Sequence, residues 1–213
     1  MNNEFKSILS KIKKKNIKIL DLGCGHPIEI FKFLKEHRLN NDFHYTGVDI
    51  DDEFKIYHNR PEEYLPERYN YEPNELMLSL FNNVEINNTN TNTYSGIDSL
   101  IPKFNFYFNS DILEFTNSKL CNSTFDVIIL SNILHKLSQP SDRTVLNKCI
   151  SCLSNDGFVY ISVLRDNYEQ PKKEDNLYSK ERYSKLIENL NVIWDNLEIE
   201  SLNHFISICK INK

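Results

Sequence analysis

Apolar positions along the chain fall into two rhythms. Phe5, Ile8, Leu9 and Ile12 recur at helical spacing, which predicts an amphipathic helix over 3–15. Ile17-Lys18-Ile19-Leu20-Asp21 is a short apolar run halted by a glycine pair, and Ile28, Ile30, Phe31, Phe33 and Leu34 follow in a helix-length segment, giving strand, turn and helix. Phe43 to Ile50 and Phe104 to Asn109 read as a second and third strand, ending beside the acids Asp49, Asp51, Asp52 and Asp111. Phe125 to Leu130 is almost wholly apolar, as a parallel strand covered on both faces must be. A helix at Ser141 to Leu153, a turn at Asp156-Gly157 and a fifth strand at Phe158 to Leu164 come next. A polar loop at 165–178, a helix from Ser179 to Leu190 and strands at Val192 to Ile199 and His204 to Ile211 complete the series.

Strands alternating with helices predict a single α/β domain over 1–213 with a mostly parallel sheet, the last pair of strands supplying an antiparallel edge. Residues 53–103 break the rhythm. They hold a Tyr/Pro/Glu-rich stretch at 57–73, a short helix candidate at 74–81 and an Asn/Thr-rich stretch at 87–93. Fifty residues exceed an ordinary connection, so this segment reads as an insertion, a lid or a partly disordered loop. Its tyrosines, with Phe54, Arg60 and Arg68, either wall the site or pack the insertion onto the sheet.

Charge narrows the partners. A formal net charge of −5 and a pI near 5.7 give no general attraction to phosphate backbones, which disfavours nucleic acid. Lys11, Lys13, Lys14 and Lys15 read as a solvated helix end favoured by the helix dipole, with an RNA contact as the alternative. Five cysteines make an odd set without secreted-domain spacing, so reduced thiols in a cytoplasm are expected. Cys149-x-x-Cys152 falls in a helix with no second Cys/His pair, so both read as buried small hydrophobes and no metal site is expected. The longest apolar stretch, Val127 to Leu134, is interrupted by Ser131-Asn132, and the amino terminus lacks a continuous apolar segment. Neither export nor a membrane span is expected. Nothing in the sequence specifies an oligomeric state.

Candidate chemistry begins at the end of the first strand. Gly23 and Gly25 let the backbone turn sharply and approach a ligand without a Cβ in the way, while the next helix offers free N–H groups. The dinucleotide fingerprint requires a third glycine where this chain has Ile28, so that reading fails. Asp21-Leu22-Gly23-Cys24-Gly25-His26-Pro27 instead resembles the first motif of class I S-adenosylmethionine-dependent methyltransferases, with Pro27 replacing a small residue common there. The resemblance implies that Asp21, Gly23, Cys24 and Gly25 lie under the methionine end of S-adenosyl-L-methionine. Tyr45-Thr46-Gly47-Val48-Asp49-Ile50 looks like the second motif, which gives Asp49 the ribose hydroxyls, with Ile50 alongside. Asn109-Ser110-Asp111-Ile112-Leu113 resembles the third, in which Asp111 would accept from the adenine amine and the Ile112 N–H would meet the ring; a plain helix cap is the alternative for Asp111.

Phe125 to His135 is similar to the fourth motif of methyltransferases acting on small molecules, with Ser131 at the cofactor. Ser131-Asn132-Ile133-Leu134 lacks the proline pair of enzymes that methylate base amines or Gln amides, which lowers the case for such substrates. His135 is the general-base candidate, since an imidazole can take a proton near neutrality; a packing histidine is the alternative. The family resemblance implies a Rossmann-like seven-stranded sheet in the order 3-2-1-4-5-7-6, strand seven antiparallel, and methyl transfer to a small-molecule acceptor. Methylation of RNA or protein, suggested by the lysine run with Lys172, Lys173, Lys180, Arg182 and Lys185, and a non-catalytic cofactor-binding or scaffold module are the other readings.

Overall fold

The computed structural model describes residues 3–25, 30, 43–50, 92–94, 103–107, 110–118, 120, 124–173, 175–199 and 202–211. Their elements are α1 (Asn3–Lys11), β1 (Ile17–Leu22), β2 (Phe43–Val48), β3 (Asn92–Tyr94), β4 (Lys103–Tyr107), α2 (Ile112–Ser118), β5 (Phe125–Ser131), a 3-10 turn (Leu134–Lys136), α3 (Ser141–Ser151), β6 (Leu153–Leu164), α4 (Lys180–Ile187), β7 (Leu190–Asp195) and β8 (His204–Ile211). The remainder of the helix expected after the glycine turn, most of 53–103 with Phe54, Arg60 and Arg68, and His26, Pro27 and Asn109 lie outside the described residues.

The strands form one mixed, Rossmann-like sheet ordered β3-β4-β2-β1-β5-β6-β8-β7. β4, β2, β1, β5 and β6 run parallel, while β3, and β8 against both β6 and β7, pair antiparallel. The sheet has eight strands among the described residues rather than the seven expected, because Asn92–Tyr94 adds an outermost strand to β4. Three residues of an Asn/Thr-rich stretch are too few and too polar for an alternating pattern to reveal them.

Both faces of the central strands are covered, which explains their continuous apolar runs. Ile17, Ile19, Val127 and Ile129 pack with Phe5 and Leu9 of α1 on one side. Leu20, Leu22, Ile128 and Leu130 pack on the other with Ile112 and Phe115 of α2, Val145 and Leu146 of α3, and Tyr183 and Ile187 of α4. The two-residue period of a strand assigns these faces. α4 starts where Ser179 accepts the Arg182 N–H at 3.2 Å, an N-cap.

Several boundaries differ from expectation: β7 is Leu190–Asp195 and not Val192 to Ile199, α4 stops at Ile187 and α3 at Ser151, and two other differences have a visible cause. α1 ends at Lys11, with Ile12 N–H bonded to Leu9 O and Asn16 at φ 54, so Lys13, Lys14 and Lys15 occupy the connection to β1 and not the helix end. β6 begins at Leu153, which pairs with Phe125; a register irregularity absorbs the polar residues 154–157 before pairing resumes at Val127 and Phe158.

From β1 the chain builds outward one way through β2 and β4 and the other way through β5 and β6. Such a reversal opens a crevice at the carboxyl ends of the central strands, where open α/β sheets take their ligands.

Candidate active site

At the carboxyl end of β1 the backbone turns through Gly23 and Gly25, whose φ angles of 74° and 45° lie in the left-handed region that favours glycine. Gly23 has a second reason to lack a side chain, since a Cβ there would lie 2.9 Å from the Ile133 side chain. The N–H groups of Gly23 and Cys24 donate to Val48 O at 2.7 and 3.1 Å, fastening the turn to the end of β2. At Gly25 an added Cβ would meet nothing within 4 Å among the described residues.

The second expected segment meets the first directly. Gly25 N–H donates to Asp49 Oδ2 at 2.7 Å across 24 residues of sequence. The third joins them through Ser110 N–H, which donates to Asp49 O at 3.1 Å and so sets Asp111 beside the end of β2. Asp111 itself is exposed, and its Oδ1 accepts the Glu114 N–H at 3.0 Å, so this carboxylate caps α2. Ile112 buries its side chain in the core, whereas Ile50 is 67% exposed beside Asp49. Ser131 closes β5 half-buried. Asn132 follows in a left-handed conformation at φ 57, held by its N–H to Ser162 O at 2.9 Å and by the Ser162 hydroxyl donating to its Oδ1 at 3.2 Å.

Below the turn lies a buried acid. Asp21 is 6% exposed, and the Tyr45 hydroxyl donates to its Oδ2 at 2.7 Å. Burial raises the Asp21 carboxyl to about 7; the Tyr45 bond pulls it back and the charge of Asp49 pushes it further up. Burial, with Asp21 and Asp49 nearby, holds the Cys24 thiol well above its ordinary value, so Cys24 is a protonated lining group and not a nucleophile. Two residues here were not singled out from sequence, Tyr45 and Ile133. Both act through contacts between segments distant in the chain, and an apolar or aromatic side chain in a strand or loop carries no local sign of such a partner.

His135 departs from the role of a free base. It is 2% exposed, its Nδ1 accepts the Leu164 N–H at 3.4 Å, and its Nε2 lies 3.7 Å from Asp175 Oδ1. Accepting at Nδ1 puts the proton of the neutral ring on Nε2, so neither nitrogen offers a spare lone pair. Burial lowers its pKa to about 4; Asp175 opposes this, and Lys136 and His204 add to it. The ring remains neutral near pH 7, bridging the 3-10 turn and the end of β6. This is the geometry of the packing alternative.

A cavity of about 450 Å³ opens between α3 and α4, lined by Gln139, Arg143, Tyr178, Arg182 and Lys185 among others. Its cations are already matched, Arg182 to Asp142, Arg143 to Glu188 and Lys185 to Glu181, each within 3.0 Å. Among the described residues no group of His, Cys, Asp and Glu is arranged to hold a metal, and no helix is long and apolar enough to cross a membrane.

Comparison with known proteins bears on the family and the fold. The family described as "Methyltransferase domain" matches residues 2–198. An O-methyltransferase family protein from Burkholderia thailandensis is 13% identical with a TM-score of 0.57, covering 99% of this chain and 56% of its own. The N-methyltransferase NodS from Bradyrhizobium japonicum WM9 is 13% identical with a TM-score of 0.58, covering 99% and 94%. An O-methyltransferase family 2 protein from Planctomyces limnophilus DSM 3776, solved in complex with apigenin, is 16% identical with a TM-score of 0.56, covering 95% and 53%. This chain therefore spans about half the length of two of the three. At these identities the likeness is one of fold. No curated protein matches the chain.

Proposed function

Because the chain belongs to the methyltransferase domain family, we propose that it transfers a methyl group from S-adenosylmethionine to a small-molecule acceptor. The observation that carries this reading is the 2.7 Å hydrogen bond from Gly25 N–H to Asp49 Oδ2, which joins the glycine turn and the β2 carboxylate in one crevice at the point where strand order reverses.

Asp21, Gly23, Cys24 and Gly25 would hold the methionine end. Asp49 would accept from the ribose hydroxyls, with Ile50 beside it. Asp111 and the Ile112 N–H would meet the adenine, since a carboxylate has acceptor capacity left after capping a helix with one oxygen. Ser131 would lie at the reacting end. The cofactor supplies a methyl already activated on a sulfonium centre. The chain's task is to bind, orient and keep the acceptor in line, and positioning alone accounts for a large share of such a rate. With its Nδ1 lone pair engaged by the Leu164 N–H, His135 takes no proton in this reading.

A small acceptor is favoured by the net charge of −5 and by the absence of a proline pair after Ser131. O- and N-methyltransferases among the similar structures, one holding apigenin, are in keeping with it. The buried, unpaired Cys24, Cys149, Cys152 and Cys209 support a reducing compartment, the cytoplasm. Calorimetric titration with S-adenosylmethionine and S-adenosylhomocysteine tests the reading. Micromolar binding by the wild type, weakened about tenfold or more in Asp49→Ala, is expected; a tenfold loss is 1.4 kcal/mol, within reach of one charge-assisted hydrogen bond. A wild type that binds neither ligand overturns it.

A further inference from the structure

Asp21 and Tyr45 sit on neighbouring parallel strands, where Ile19 pairs with Tyr45 and Asp21 pairs with Gly47. Tyr45 is fully buried and packs on the α1 face of the sheet beside Ile17 and Ile19. Asp21, two residues beyond Ile19, points to the same face by the period of the strand. Packing alone would be served equally by phenylalanine. A phenylalanine would lack the hydroxyl that donates to Asp21 Oδ2 at 2.7 Å. The titratable groups acting on Asp21 among the described residues are Tyr45 on β2, Asp49 just past β2 and, in the glycine turn, Cys24. Burial and the Asp49 charge favour the uncharged acid; the Tyr45 hydroxyl favours the carboxylate.

We propose that Tyr45 is a positioning residue for cofactor binding, whose hydroxyl fixes the orientation of Asp21 and favours its charged form so that the α-ammonium group shared by S-adenosylmethionine and S-adenosylhomocysteine meets a preset carboxylate. This rests on the cofactor assignment above. Preorganisation of this kind strengthens binding by removing a reorientation and a deprotonation from the binding event.

Tyr45→Phe removes only the hydroxyl. Wild type and variant are titrated with S-adenosylhomocysteine and with adenosine at several pH values around neutrality, and the Asp21 carboxyl is followed by ¹³C NMR in the ligand-free protein. The variant should bind S-adenosylhomocysteine about tenfold more weakly near neutral pH, the effect of roughly one unit in the Asp21 pKa, and recover in alkali. Adenosine, which lacks the methionine end, should bind as before, and Asp21 should titrate at higher pH than in wild type. Asp21→Asn, which keeps an acceptor for the phenol, should bind S-adenosylhomocysteine weakly at every pH and be insensitive to added Tyr45→Phe. An unchanged affinity, an unshifted Asp21, or a loss equal at all pH values and shared by adenosine overturns the proposal alone. A wild type that binds neither ligand overturns the cofactor assignment and the proposal together.

Discussion

Two aspartates at opposite ends of the central strands have the same small surface exposure and are shifted in opposite directions from the ordinary carboxylate range. Asp21, near the carboxyl end of β1, and Asp126, near the amino end of β5, are each 6% exposed. Asp126 accepts from Lys14 Nζ at 2.7 Å, from the Lys18 N–H at 2.9 Å and from the Ser154 hydroxyl at 2.8 Å. Burial pushes both carboxyls up; at Asp126 the Lys14, Lys18 and Ser154 bonds outweigh it and hold the group below its ordinary value, while at Asp21 burial wins. Surface exposure alone is therefore not what sets these charges: Asp21 lies deeper in the protein, and Asp126 has three donors against one. The supply of donors acts together with burial, and the end of the sheet that carries the glycine turn gives its acid only one side-chain donor that favours the charge.

The largest expected break in this contrast is Asp21→Asn. The folded pKa of Asp21, about 7, lies above the ordinary 3.8, so its contribution to stability is complete below 3.8 and lost as pH rises through 7. Relative to wild type the variant should gain about 4 kcal/mol between those limits, read by urea denaturation at acid and neutral pH. A difference that does not change with pH would show that the two aspartates are alike. His135→Gln sharpens the comparison with a group of opposite sign. The folded ring has a pKa of about 4 against the ordinary 6.5, so the unfolded chain takes up a proton first and wild type loses stability as pH falls through that window. The variant lacks this penalty, and its deficit at neutral pH should shrink by roughly 3 kcal/mol on acidification. Asp21 and His135 thus lean against each other, and the wild-type profile should be flatter than that of either variant. Lys14→Met is the mildest test. Lys14 is 58% exposed, so water and salt screen its pair with Asp126, and a loss under about 1 kcal/mol, reduced further by salt, is expected in the same denaturation assay.

Much of the architecture was legible because burial on both faces writes itself into composition. β1 and β5 show as apolar runs, and Gly23 and Gly25 mark the turn through the backbone angles that only glycine adopts readily. The resemblance assigned Gly25 and Asp49 to one ligand, and a hydrogen bond joins the two residues. The start of β6 was hidden because Ser154 to Gly157 reads as a turn, while Leu153 before it still pairs with Phe125. The state of His135 was hidden for a different reason. A sequence shows that an imidazole follows a strand, but not that the amide of Leu164, 29 residues on, takes its lone pair. Tyr45 and Ile133 belong to the same class, local residues whose meaning is fixed by a distant partner.

The edges of the sheet carry a further consequence, for solubility. A strand with unpaired backbone groups is a template for self-association, and a short polar strand blunts it. β3, three residues reading Asn-Thr-Tyr, covers the otherwise open side of β4 in this way. β7, at the far edge, leaves Val192 and Ile193 36% and 44% exposed, with only a register irregularity between Val192 and Trp194 to disturb a flat approach. In concentrated solution, sticking between molecules should therefore start at β7, and a lysine in place of Ile193 is where a more soluble form of the protein would begin.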